Sequence, residues 1–262
     1  MSPMLHDLSN EQAVITAIES NMFSFWTAYG HDRLDSERIL RFATDVPHPL
    51  FNAAFRVQLT ITQIQATIDE TIAYFRARQT PFCWWTGPMT RPSDMGHHLQ
   101  AHGLMHGGEI PGMAMLLADL PDSVPAPDDF EIVPVSTPHQ LRQWSDVAAA
   151  ANEMDASIFE SLYQLELKRG LESTPRYLGL LAGEPAAAAA LHLAEGVAGI
   201  YAVATVHKAR SKGIGAAITL KPYLDARAQG YHVGILQASS MGYKMYQRLG
   251  FKKYCELGLY MG

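Results

Sequence analysis

The residues with the most evident chemistry in this chain are Arg210-Ser211-Lys212-Gly213-Ile214-Gly215. They follow an apolar, β-branched run, Val197 to Val206, and lead into a helix-like stretch, Ala216 to Gln229. A strand feeding a glycine-bearing loop that opens a helix suits phosphate. Glycines let the backbone come close, the loop N–H groups point at the anion, and the helix N-terminus adds partial positive charge. Arg210 and Lys212 add charge at the rim. The loop predicts a ligand carrying a pyrophosphate or a similar anion.

Two nucleotide loops fail against these residues. A Walker A loop needs G-x-x-x-x-G-K followed by Ser or Thr, and no such run occurs. A dinucleotide fingerprint needs G-x-G-x-x-G, and its third position here is Ile218. The arrangement R-x-x-G-x-G after a strand instead resembles the acyl-CoA loop of the GNAT acyltransferase superfamily. A second segment supports the resemblance: Ser239-Ser240-Met241-Gly242-Tyr243-Lys244-Met245-Tyr246-Gln247-Arg248-Leu249-Gly250-Phe251. Its ending, Y-x-x-L-G-F, is similar to that family's short helix closing on Gly-Phe before the last strand.

The resemblance implies an α/β fold with a mixed sheet and acetyl-CoA, or a related acyl-CoA, as co-substrate. It implies backbone contacts to the pantetheine arm from Ala204, Thr205 and Val206. Arg210, Ser211, Lys212, Gly213, Ile214, Gly215 and Ala216 would cradle the pyrophosphate. Tyr246 matches the tyrosine that protonates the leaving thiolate in many members; the alternative is that it only packs under the sheet. Ser239 stands where relatives place an asparagine that touches the cofactor, although serine also caps helices well. Family members often carry a glutamate base on the strand before the loop. Here that strand reads GVAGIYAVATV and contains no acid. Tyr201, His192 and Glu195 are nearby, and no base is assigned.

The implied activity is transfer of an acetyl group to a primary amine by direct attack. The acceptor, a small molecule or a peptide, is not selected by these motifs. A non-catalytic CoA-binding or dimerisation module of the same fold is the rival reading. A member that decarboxylates or hydrolyses its thioester is a third.

Other constellations are weaker. His97, His98, His102 and His106, with Glu109 beyond, resemble a metal cluster on paper. No acid intervenes as in H-E-x-x-H, and Gly103, Gly107 and Gly108 break the helix, so no metal is expected. Trp84-Trp85, with Trp26 and Tyr29, could line an acceptor pocket or fill a core. Cys83 and Cys255 lie far apart without a C-x-x-C, so two reduced thiols are expected.

Composition bounds the rest. The 262 residues are 48% hydrophobic and 18% charged, with a formal net charge of -6. That balance argues against a nucleic-acid partner, which needs a basic face. No basic leader with an apolar core and no bilayer-length apolar run occurs, so a cytoplasmic protein with no membrane partner is expected. Assembly as a homodimer stays open.

The Pro- and acid-rich stretch LPDSVPAPDDFEIVPV, Leu120 to Val135, divides the chain. The reading is residues 130–262 as a complete GNAT unit, 120–129 as linker, and 1–119 as a worn GNAT-like copy. In the second half, strands fall at Phe130–Val133, Arg176–Leu181, Ala186–Leu193, Gly196–Val206, His232–Gln237 and Lys252–Leu259. Helices fall at Pro138–Ala151, capped by Thr137, and at Ala156–Arg169. The alanines Ala186 to Ala190 are read as strand despite their helical propensity. Pro222 should kink the long helix or cost it a hydrogen bond. In the first half, strands at Phe51–Leu59, Phe82–Trp85 and Ile110–Leu117 alternate with helices at Thr62–Arg78 and Ser93–His102. The joint between its first strand and helix reads VQLTIT, with no glycine or arginine to cradle phosphate.

Overall fold

The structure, a computed structural model, describes residues 3–151 and 154–262. In chain order the elements are α1 (Glu11–Thr27), β1 (Asp32–Asp35), β2 (Leu40–Ala43), β3 (Ala53–Phe55), α2 (Ile64–Ala77), β4 (Cys83–Thr86), α3 (Met95–Ala101) and β5 (Met105–Leu116). Then follow β6 (Phe130–Pro134), α4 (Pro138–Ala151), α5 (Ala156–Arg169), β7 (Arg176–Leu181), β8 (Glu184–Ala194), β9 (Val197–Thr205), α6 (Ile214–Ala228), β10 (Val233–Gln237), α7 (Tyr243–Arg248) and β11 (Lys252–Met261). The mixed α/β class expected from the sequence is what is seen. No helix among the described residues is long and apolar enough to cross a membrane.

The chain forms two compact units, but they do not divide at the 120–129 linker. One comprises residues 1–21 and 113–253, the other 22–112 and 254–262. The division runs inside α1, β5 and β11 instead. In the larger unit, β10 has the end of β5 as its outer neighbour, and the order continues β9-β8-β7-β6. In the smaller unit, β4 has β11 in the corresponding place, paired antiparallel from Gly258↔Thr86 to Met261↔Cys83. Each half of the chain thus contributes its last strand to the other unit's sheet. The order β3-α2-β4-α3-β5 repeats β9-α6-β10-α7-β11, and in both cases the first two strands pair in parallel.

The larger unit has two packed faces. On one, Ile214, Ile218 and Tyr223 of α6 bury against Ala187, Leu191, Ala198 and Ile200. On the other, Leu141 and Trp144 of α4 bury against Leu178, Ala188 and Ala190. Ala186 to Ala190 are all essentially inaccessible, so small side chains on both faces let helices approach closely. Packing overrides their helical propensity. Thr137 and Gln140 cap α4 reciprocally: the Gln140 amide donates to Thr137 Oγ1 (3.2 Å), and the Thr137 amide donates to Gln140 Oε1 (3.2 Å). Pro222 does not interrupt α6, which continues to Ala228 around this buried residue.

A buried ionic cluster lies within this apolar unit. Glu166 of α5 and Arg176 of β7 are both inaccessible and ion-paired, Arg169 approaches the same carboxylate (3.5 Å), and Arg176 also donates to Thr174 O (3.0 Å). Removing Arg176 leaves the buried Glu166 carboxylate to the more distant Arg169. Arg176→Met should cost about 3–5 kcal/mol. The double substitution of Glu166 and Arg176 by Met should regain only part of it, because Arg169 then keeps Thr174 Oγ1 (2.9 Å) but loses this carboxylate. Urea midpoints of the three proteins check this.

Candidate functional site

The site is built where β9 and β10 stop pairing. Their parallel register covers Gly234↔Ala198 and Ile235↔Gly199 only, although β9 runs on to Thr205 and β10 to Gln237. A register shift against β8 falls between Ala188 and Ala190, and opposite it Ala202 takes φ 50, the left-handed region. The bulge bends β9 away from β10. At the last paired residue the Ile235 carbonyl accepts from the Tyr223 hydroxyl of α6 (2.7 Å).

Beyond the bulge the ladder with β8 resumes at Ala188↔Ala204 and Ala187↔Thr205. The Val206 amide donates to Ala186 O (2.9 Å), and its carbonyl accepts from the Ala209 amide (2.9 Å). By the alternation of an antiparallel ladder, Ala204 then faces β8 as Val206 does, while Val203 and Thr205 face the gap. Of the three expected arm contacts, Thr205 keeps only its amide directed at the gap, since its carbonyl accepts from Arg210 Nε (3.1 Å). Ala204 and Val206 spend theirs on neighbouring structure, and Val203 is the residue the sequence reading missed.

The glycine loop makes the sharp turn its glycines imply. Gly213 has φ 83 and Ser211 φ 62, turning the chain sharply into α6. The Ala216 and Ala217 amides donate to Gly213 O (3.0 and 3.1 Å), closing the first turn. Among the described residues no hydrogen bond occupies the amides of Ser211, Lys212, Gly213, Ile214 or Gly215. These are the outward donors of a helix start. A Cβ on Gly213 would collide with the Pro125 carbonyl. One on Gly215 would press on Met245 Sδ at 3.1 Å, with Thr205 Oγ1 at 3.7 Å.

Arg210 departs from the expected rim role. Its Nε donates to Thr205 O (3.1 Å) and its Nη2 to Ala151 O (3.1 Å), so the guanidinium braces the loop against β9 and the end of α4. Lys212 is exposed and, with Lys208 and Asp129, lines an open crevice of about 440 Å³ beside the loop. Ser239 Oγ accepts from the Gly242 amide (3.1 Å), the capping role. Tyr246 is buried in the core with its ring edge-on to Phe251, and its hydroxyl is a hydrogen-bond partner of Thr219. Burial pushes its phenol up to about 12, against a smaller lowering by Thr219.

Three residues considered as bases stand on β8, β9 and their turn. The Tyr201 hydroxyl donates to Asn21 Oδ1 (2.7 Å). Asn21, wholly buried on α1, donates from Nδ2 to Ala194 O (2.9 Å) and His192 O (3.3 Å). Gly199 makes room for this amide, since a Cβ there would overlap Asn21 Oδ1. Burial holds the Tyr201 phenol well above its ordinary value. Burial first, then the Arg169 charge, pushes His192 down to about 4, with Glu195 opposing. Neither is an effective base near neutrality. Asn21, Thr219 and Gln237 escaped the sequence reading. Asn21 is separated from Tyr201 by 180 residues, and no local pattern marks it.

In the smaller unit the remaining constellations are structural. Trp84 fills a core with Ile68, Phe75 and Tyr260, and Trp26, Tyr29 and Phe51 pack edge-on or tilted. His98 approaches Asp94 (3.7 Å), His102 Nδ1 meets His98 O (2.7 Å), and His106 meets Glu109 (3.0 Å). Among the described residues no three metal-ligating side chains gather. Cys83 and Cys255 are buried and form no disulfide among the described residues.

Residues 177–258 match the family model described as FR47-like protein. No curated protein matches the chain. Among solved structures it is similar to a GCN5-related N-acetyltransferase from Kribbella flavida, at 18% identity and TM-score 0.71, covering 94% of this chain and 95% of that one. A GCN5-related N-acetyltransferase from Sphaerobacter thermophilus gives 16% identity and TM-score 0.61, over 86% and 75% of the two chains. A tandem GNAT protein from the clavulanic acid biosynthesis pathway gives 12% identity and TM-score 0.59, over 86% and 78%.

His192 generates a pH prediction. Below about 6.5 the unfolded chain binds a proton there that the folded chain refuses until about 4. Stability from this group is therefore complete above about pH 6.5 and falls as the pH drops toward 4, by at most about 3 kcal/mol. His192→Gln should flatten that dependence, measured as urea midpoints between pH 4 and 7. Gly213→Val, by contrast, should weaken anion binding at every pH, because it combines a left-handed φ with the Pro125 collision.

Proposed function

We propose that this chain, whose fold is that of the GNAT superfamily, is an acyl-CoA-dependent N-acyltransferase moving an acetyl group from acetyl-CoA to a primary amine. The observation that carries the reading is the gap between β9 and β10 leading to the open amides of residues 211–215. A strand edge with unmatched main-chain groups suits the amide-bearing pantetheine arm, and a helix start with outward donors suits its pyrophosphate. On this reading the Thr205 amide and Val203 hold the arm while Ser211 to Gly215 hold the phosphates. Arg210 positions the loop rather than touching the anion, and Gly215 lets Met245 of α7 pack on the start of α6. The first half contributes structure and not a second cofactor site.

Tyr246 supplies the acid. At about 12 its phenol is fully protonated in any physiological buffer. Complete proton transfer to a thiolate of ordinary pKa would be uphill by about 5 kcal/mol, so its first contribution is a hydrogen bond to the departing sulfur. Attack is direct: no carboxylate stands on β9, His192 is a weak base, and the Tyr201 proton is engaged by Asn21. The amine arrives neutral and gives its proton to solvent after attack. That missing carboxylate is also what favours the rival reading, a CoA-binding module without turnover. The protein is taken to act in the cytoplasm on a small-molecule or peptide amine.

Thiol release from acetyl-CoA, measured against a panel of amines, separates the two. The expected result is amine-dependent release. Tyr246→Phe should lower kcat about 100-fold while leaving the Kd for CoA nearly unchanged. CoA binding without release by any amine would favour the module. The pH profile is a second check: because the phenol stays protonated to about 12, kcat/KM should rise to a plateau with no descending limb below pH 10. A fall near pH 9 would remove Tyr246 from the acid role.

A further inference from the structure

At the end of β10 a buried amide donor makes no hydrogen bond among the described residues. Gln237 is the last residue of β10, two positions beyond the final registered pair Ile235↔Gly199, and so level with Tyr201 on β9. Its Nε2 is inaccessible to solvent and makes no hydrogen bond. Leaving such a donor unmatched costs about 1–3 kcal/mol, and exceptions of this kind in folded proteins call for a partner that the chain itself does not supply.

The orientation of the amide follows from its neighbours. Asn21 must point Nδ2 at the carbonyls of His192 and Ala194, which leaves Oδ1 to receive the Tyr201 proton. The Tyr201 oxygen therefore has only lone pairs to offer. Gln237, close enough to ease ionisation of that phenol, must turn its NH2 rather than its oxygen toward it. One N–H of the amide is thereby turned toward the Tyr201 lone pairs, and its second N–H is left without an acceptor among the described residues. An N–H donor repels an ammonium and favours an oxygen. In an acyl transfer at this place the oxygen that gains charge is the carbonyl of the acyl group.

We propose that Gln237 Nε2 donates a hydrogen bond to the acyl carbonyl oxygen and stabilises the negative charge it acquires, with Tyr201 and Asn21 as positioning residues that aim the amide. This rests on the acyl-CoA reading above. The amine lone pair forms the N–C bond as the C=O π pair moves onto oxygen. The oxygen pair then re-forms C=O and the C–S bond breaks, its electrons leaving on sulfur. The sulfur is protonated by Tyr246 or solvent, and the nitrogen loses its extra proton to solvent.

The test pairs two ligands with three proteins: acetyl-CoA and its carbonyl-free thioether S-ethyl-CoA, with wild type, Gln237→Met and Gln237→Glu. Wild type should prefer acetyl-CoA in titration calorimetry by a factor of about 3–10, and both substitutions should erase the preference. The kcat for amine transfer should fall about 100-fold or more with little change in the acceptor KM. A merely structural role would lower Tm without touching the ligand preference. Glu keeps the length of the side chain while replacing the donor, so it carries the test if Met destabilises the fold. Unchanged preference and kcat would overturn the proposal, as would a raised acceptor KM with the preference intact. Wild type binding neither ligand would overturn the acyl-CoA reading and this proposal with it.

Discussion

Everything at the candidate site depends on one interruption in a hydrogen-bond ladder. A parallel pair normally continues as long as both strands do, because each unmatched main-chain group is costly when buried. Here β9 is bent out of register by Ala202 in the left-handed region, where a residue with a Cβ is strained by roughly 1–2 kcal/mol. The strain persists because both flanks are held. Before the bulge, Ala190↔Tyr201 and the pairs to Ala194↔Val197 fix β9 on β8; after it, Ala188↔Ala204 fixes it again. Ile235, which ends the pairing with β9, gives its carbonyl to Tyr223. A polar gap is thereby set inside an otherwise continuous core.

The interruption also explains why the surrounding residues are small or hydrogen-bonded to one another. Gly199 lets the Asn21 amide lie directly on β9, and Asn21 in turn holds Tyr201 and the β8–β9 turn. Gly213 lets the 120–129 segment cross the loop at the Pro125 carbonyl. Arg210 takes the Thr205 carbonyl and the end of α4 together. Of these contacts, the one from Arg210 takes a β9 carbonyl beyond the residues paired with β10. The gap is built as much by these braces as by the strands.

Local pattern made much of this legible. Pro138–Ala151, Ala156–Arg169 and Arg176–Leu181 are observed at the limits the sequence suggested, since caps, periodicity and turns there agree with one another. The glycine loop and the Y-x-x-L-G-F segment pointed to the candidate site because their demands, a left-handed φ and a short helix, are local. Three things were not legible. The short strand β1 is exposed at three of its four residues and carries no apolar alternation. The exchange of β5 and β11 between units is a choice between two strands of equivalent pattern. The Arg210 side chain reads as a free cation until Ala151 and Thr205 are seen to claim it.

The smaller unit shows what happens when the same plan lacks the gap. Its β3 also ends at a residue with positive φ, Arg56 at 52°, after pairing in parallel with β4 at Ala53↔Cys83 and Ala54↔Trp84. Yet the chain beyond is matched. The Arg91 amide donates to Val57 O (2.9 Å), the Leu59 amide donates to Arg91 O (2.9 Å), and the Gln58 amide finds Arg38 O (2.8 Å). The edge that would face a ligand is stitched to the segment after β4. With VQLTIT in place of a glycine loop, the turn into α2 offers no sharp left-handed approach for an anion either. Two strand–helix–strand plans of the same order therefore differ in one respect that matters chemically: whether the main chain after the first strand satisfies itself. Where it does, that strand offers no open main-chain edge; where it does not, the unmatched groups stay available as donors and acceptors.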